Sequence, residues 1–129
     1  MRLSIYSFND LSRSYGIIQF EGSESGGLLN ALRSLGLEGV KKVVSEVLGC
    51  NVKSLSLAFG DMFYEDRRYV MAYLKVELND GETYLIEVYE DSASIISTED
   101  ALVTRNALIN LISRLVPGVK LPKSFIVGI

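Results

Sequence analysis

The stretch from Arg68 to Glu90, RYVMAYLKVELNDGETYLIEVYE, constrains the fold of this chain more than any other. Val70, Ala72, Leu74, Val76 and Leu78 alternate with Met71, Tyr73, Lys75 and Glu77. Beyond the Asn79-Asp80-Gly81 turn, Tyr84, Ile86 and Val88 alternate with Thr83, Leu85, Glu87 and Tyr89. A period of two is the mark of a strand with one buried face. The turn admits two registers. A two-residue Asp80-Gly81 turn sets Asn79 opposite Glu82, Lys75 against Ile86 and Leu74 against Glu87. A three-residue loop sets Leu78 opposite Glu82, so that Val76 meets Tyr84, Leu74 meets Ile86 and Ala72 meets Val88. Only the second keeps every apolar pair on one face, and a slip of one residue would turn a whole strand over, so the second is expected. It needs a type I turn followed by a left-handed residue, a place that Gly81 fits.

The other face of this hairpin carries Met71, Tyr73, Lys75, Glu77, Leu85, Glu87 and Tyr89. It is amphipathic, which predicts partial cover by a helix, the C-terminal tail or a second subunit.

Around the hairpin the chain divides into short periodic segments. Arg2 to Phe8 and Tyr15 to Glu21 read as strands, an opening hairpin joined through the polar stretch from Asn9 to Ser14. Gly22 to Gly27 (GSESGG) is a flexible connection. Leu28, Ala31, Leu32 and Leu35 then form a helical stripe, and Leu37, Val40, Val44, Val47 and Leu48 form a second one ending at Gly49. Gly36 lies between them and predicts a break. Lys53 to Phe59 is a strand with Leu55, Leu57 and Phe59 on one face and Ser54, Ser56 and Ala58 on the other; the small face suits close approach of a helix. Gly60 to Arg67 reads as a connection, yet it holds Met62, Phe63 and Tyr64. Either the strands extend into it or it touches something.

A short strand through Ala93 and Ile95 follows. Ser97 is the expected cap of a helix running to about Val116, with Leu108, Leu111, Ile112 and Leu115 as its core stripe, joined by Leu102 and Ile109. Pro117-Gly118 ends it, and residues 117–129 form an extended arm finishing in Phe125-Ile126-Val127-Gly128-Ile129. The element order is two strands, a helix pair, three or four strands, a helix and a short strand. It predicts a single α+β domain with a mainly antiparallel sheet of about five strands and helices packed on it. This order resembles that of profilin-like and longin-like folds, as a topological analogy that no motif carries.

The 129 residues are 48% hydrophobic and 22% charged, enough to build one core. A net charge of −3, with 13 basic residues scattered along the chain, provides no global basic field and disfavours nucleic acid as a partner. No run is long enough to span a bilayer, and Met1 leads into a strand-like segment without a secretory signal, so a cytoplasmic protein is expected. The single cysteine, Cys50, excludes an internal disulfide. The absence of histidine removes the commonest general base, histidine-dependent triads and any ordinary zinc site. No cofactor, metal site or catalytic constellation is expected.

Several local features resemble sites and fall short. GSESGG sits between a strand and a helix as phosphate loops do, but it lacks their lysine and hydroxyl residue, and Glu24 would repel an anion. Asp61, Glu65 and Asp66, and again Glu87, Glu90 and Asp91, are carboxylate clusters without calcium-loop spacing. Cys50 has no adjacent cation cluster to activate it. The residues left over fit a contact surface. Met71, Tyr73, Leu85 and Tyr89 could form an aromatic patch on the hairpin's outer face, with Met62, Phe63 and Tyr64 beside it. Phe125, Ile126, Val127 and Ile129 would fray unless they add an edge strand to their own sheet or to another subunit. The expected function is a non-enzymatic protein–protein interaction or self-assembling module, with itself (a homodimer) or another protein as partner. The alternative is a small-molecule binding protein or minor enzyme, with a pocket between helix and sheet lined by carboxylates and Tyr73 or Tyr89.

Overall fold

The computed structural model describes residues 14–19, 27–49, 52–89, 92–119 and 127–128. They form β1 (Ser14–Gln19), α1 (Gly27–Leu48), β2 (Val52–Tyr64), β3 (Arg67–Leu78), β4 (Thr83–Val88), β5 (Ser92–Ser97), α2 (Ala101–Leu115) and β6 (Val127–Gly128). The strands make one six-stranded sheet in the order β2-β3-β4-β5-β1-β6, and every neighbouring pair is antiparallel. The α+β class is as the sequence predicts, with six strands where about five were expected. The expected strand from Arg2 to Phe8, GSESGG up to Gly26, Cys50, Glu90, Asp91, Phe125, Ile126 and Ile129 lie outside the described residues.

The central hairpin takes the three-residue register. Val76 pairs with Tyr84, Leu74 with Ile86 and Ala72 with Val88. Leu78 N–H donates to the Glu82 carbonyl at 2.9 Å, and Gly81, with φ at 92°, closes the loop in the left-handed region. One face of the sheet presents Ala72, Leu74, Val76, Leu78, Tyr84, Ile86, Val88, Ala93, Ile95 and Ile18 to the helices, and all of these are buried. From α1 come Leu28, Leu29, Leu32, Val40 and Val44; from α2 come Leu108, Leu111 and Ile112.

The break in α1 falls at Gly36, whose φ of 68° and ψ of −178° are not helical. Gly39 completes the kink, because a Cβ there would stand 2.9 Å from the Cβ of Leu35. The kink turns Leu35 and Leu37 outward, at 42% and 47% exposure, so these two members of the expected stripes leave the core. Leu102 is also exposed, and α2 buries Thr104 instead. Thr104 tolerates this because its hydroxyl donates to the Asp100 carbonyl at 2.7 Å. Asp100, not Ser97, caps α2: its Oδ1 accepts from Val103 N–H at 2.9 Å. The Ser97 hydroxyl is drawn into the sheet end, where it accepts from Glu99 N–H at 2.8 Å.

The largest departure is at Gly60–Arg67. The strands run straight through it, and the chain reverses only at Glu65-Asp66, both with positive φ (50° and 64°). Two consecutive left-handed residues make a type I′ turn, whose twist suits a tight hairpin. The small-residue face of β2 receives no helix among the described residues. The helical layer packs instead on the Leu55 and Leu57 face, and the Arg33 guanidinium lies 5.4 Å from the centre of the Phe59 ring. No helix among the described residues is long and apolar enough to cross a membrane.

Candidate functional site

Because β2 and β3 are about twice as long as β4, their hairpin outruns the sheet. The pairing of β3 with β4 ends at Ala72, whereas β2 and β3 stay paired from Gly60 and Met71 out to Tyr64 and Arg67. The result is a two-stranded ribbon projecting past the helix-covered core. Phe63 and Tyr64 at its tip are 73% and 62% exposed, and Phe59 and Tyr69 follow at 41% and 38%. The side chain of Met62 lies outside the description. Arg68 and Asp61 form an ion pair across the ribbon at 3.1 Å, both exposed.

The outer face of the central hairpin is different. Met71 and Leu85 are buried, and Tyr73 and Tyr89 are half-buried. Leu85 joins Ile96 and Tyr15 in a small apolar cluster on the face away from α1 and α2. Glu87 lies there too, directly across from Tyr73, and Tyr89 Oη donates to Glu87 Oε2 at 3.4 Å. Burial, and then the charge of Glu87, hold the Tyr73 phenol above its ordinary range. This group is therefore an internal one, and the exposed aromatic surface has moved to the ribbon.

A cleft of about 320 Å³ opens between the end of α1, the start of α2 and the β3–β4 loop. Val47, Leu48, Leu78 and Tyr84 form its apolar floor, with Asp80, Glu99, Asn106 and Asn110 around it. Neither Tyr73 nor Tyr89 reaches it, since both lie on the opposite face of the sheet. Tyr84, buried in the core as its place on the apolar face predicts, also lines it. The acidic wall is fixed by the β5–α2 junction: Thr98 Oγ1 accepts from Thr83 N–H at 2.9 Å and donates to Glu82 Oε2 at 2.6 Å, while Ser14 Oγ donates to the Glu99 carbonyl at 2.6 Å. Burial, followed by the charges of Glu82, Asp80 and Asp100, raises the Glu99 carboxyl above the usual range. No group of three or more His, Cys, Asp or Glu placed to hold a metal ion occurs among the described residues.

In the tail, Val127 pairs with Gly16 and Gly128 with Tyr15, so β6 is an edge strand on its own sheet. Sequence reasoning missed Phe59, Leu35 and Leu37 as surface residues. Their apolar character and spacing read as core, and only the length of the ribbon and the kink at Gly36 bring them to solvent. Comparison of the chain with protein-family models, with curated proteins and with solved structures finds no match.

Proposed function

We propose that this domain is a non-enzymatic protein–protein interaction module, and that its contact surface is the β2–β3 ribbon with the adjoining edge of β2. One observation carries the reading: an aromatic-tipped ribbon stands clear of the core, with Phe63 and Tyr64 mostly in solvent. Aromatic side chains supply large contact area at low entropic cost, and a soluble domain gains nothing for its own stability by extending them. The helix-covered face of β3, β4 and β5, by contrast, is buried. A reducing, cytoplasmic setting fits the single free cysteine.

The test places a photo-crosslinking amino acid at Phe63, with a control at the exposed Asn106, in the cells that make the protein. Discrete protein adducts from position 63 and none from position 106 are expected. Equal, diffuse labelling from both positions would sink the reading.

The cleft supports a second reading, a site for a small cationic or amine-bearing molecule. Its volume lies at the lower end of ligand pockets, and its wall is acidic. Such a ligand would raise the melting temperature of the wild-type chain and leave that of a Glu99→Gln chain unmoved. Equal shifts in both chains would remove the cleft from consideration.

A further inference from the structure

We infer that the partner of this surface is a second copy of the chain, joined edge to edge along β2 about a two-fold axis at Leu57. This rests on the interaction reading above and narrows it to one occupant and one register.

Among the described residues β2 is the long free edge of the sheet. Among the described residues no strand pairs with its outer side, and the opposite edge is the two-residue β6. Sheet edges are ordinarily blunted by charge, proline or a bulge. On β2 these devices stand only at the ends: a register shift between Val52 and Ser54 with Lys53 beside it, and Asp61 at the other end. From Ser54 to Gly60 the sequence SLSLAFG has no charge and no proline.

The tight turn sets the phase of the exposed backbone. The residues flanking a two-residue turn, Tyr64 and Arg67, face each other as a hydrogen-bonded pair, and the ladder alternates from there. Even-numbered residues of β2 from Ser54 to Tyr64 therefore spend their backbone groups on β3. Leu55, Leu57, Phe59 and Asp61 turn theirs outward. An antiparallel partner of identical sequence must pair odd positions with odd positions, which leaves a few registers. Centred on Leu57, the pairing sets Leu57 against Leu57 of the second copy, and Leu55 against Phe59 of the second copy, twice by symmetry. It also brings Lys53, at the register shift, and Asp61, the only charges on β2, to the same ends of the joined strands. Centred on Ser56, Phe59 would meet Lys53; centred on Ala58, Leu55 would meet Asp61. Only the Leu57 centre matches apolar with apolar and opposite charge with opposite charge. On the other face Ser56 meets Ala58 and Ser54 meets Gly60, which are small enough to let the edges close. The present partners of the two charges, Glu77 at 3.9 Å from Lys53 and Arg68 beside Asp61, are solvent-exposed pairs that hold them loosely. A two-fold axis normal to the sheet also puts both α1 helices on the same side of the joined sheet, the side where Leu35 and Leu37 are exposed.

The test uses full-length chains carrying Cys50→Ser together with either Ser56→Cys or Ala58→Cys, both replacements at exposed positions. Across the proposed axis Ser56 faces Ala58 of the other copy as a non-hydrogen-bonded pair, at a Cα separation of about 4.5 Å, within disulfide reach. Like positions are two residues out of step, about 7–8 Å apart and beyond it. Light scattering of the wild-type chain is expected to give twice the chain mass. Mild oxidation is expected to crosslink a mixture of the two variants and neither variant alone. In the wild-type dimer the amides of Leu55, Leu57 and Phe59 are expected to exchange slowly with deuterium and to speed up on dilution to monomer. A dimer that crosslinks in any other pattern overturns the register. A monomer at every concentration overturns the second copy, and adducts from position 63 to other proteins would then leave the interaction reading standing. A monomer with no such adducts removes both.

Discussion

At Gly36 the backbone enters a region that glycine occupies freely and residues with a Cβ do not. Gly36→Ala is expected to destabilise the fold by about 1–3 kcal/mol, read as a shift in urea midpoint. Gly60→Ala, where a Cβ meets nothing within 4 Å, is expected to change stability by less than about 1 kcal/mol. Equal costs at the two sites would show that the kink is not held by the conformation of Gly36. Glu65 and Asp66 reach the left-handed region without glycine. That is why the turn was hidden in the sequence while Gly36 and Gly81 were readable: the residue type announces the conformation in one case and not in the other. Replacing the pair by Glu65→Asn with Asp66→Gly is expected to stabilise the ribbon by about 1 kcal/mol, and a lower urea midpoint would contradict the turn type. Glu99 gives a pH signature. Its carboxyl titrates higher in the fold than in the unfolded chain, so the native state binds the proton more tightly. That stabilisation is complete below the unfolded value and is lost as pH rises through the folded one. Glu99→Gln is expected to flatten this decline from the ordinary glutamate range upward and to be the more stable chain on its high-pH side. Parallel curves for the two chains would show that the acidic wall does not perturb Glu99.

The elements were legible wherever one face decides the fold. The alternation in β3 and β4 fixed both the strands and their register, because Leu74, Val76, Ile86 and Val88 have one place to go. The helix caps and the ends of β2 were less legible, since each depends on a neighbour far along the chain. Ser97 reads as a cap in isolation; in the fold, Ser14 from β1 and Thr83 from β4 engage the residues around it and pass the capping role to Asp100. Asp100→Ala is therefore expected to cost about 1 kcal/mol by denaturant titration, whereas a Ser97→Ala chain keeps the helical content of α2. Loss of helical circular dichroism in the Ser97 variant alone would reverse the assignment. The ribbon was half-legible: Met62, Phe63 and Tyr64 carry much apolar area for a loop, but whether a strand is an edge is a property of the sheet order, which no local pattern encodes.

Across the whole molecule the two edges of the sheet are unequal. Among the described residues one is β2, long and open, and the other is β6, a short strand laid against β1. The tail and the ribbon, which the sequence offered together as contact surfaces, thus sit at opposite ends of a six-stranded sheet and can be tested apart. A chain ending at Gly118 retains β3, β4, β5 and both helices, so the core they share is intact. Among the described residues it loses the β6 ladder and Val119, which packs at the margin of the core, and it is expected to fold with a stability lower by about 1–2 kcal/mol, the worth of a few backbone hydrogen bonds. Its assembly is expected to match that of the full chain, because removing β6 leaves the β2 edge untouched. Light scattering on both chains decides between the edges. If the full chain is a dimer and the shortened one is a folded monomer, the contact runs through the tail, and pairing at Leu57 is wrong. If both are dimers, an edge strand that looks peripheral in one copy is the centre of the assembled sheet, and β6 serves only to close the other side.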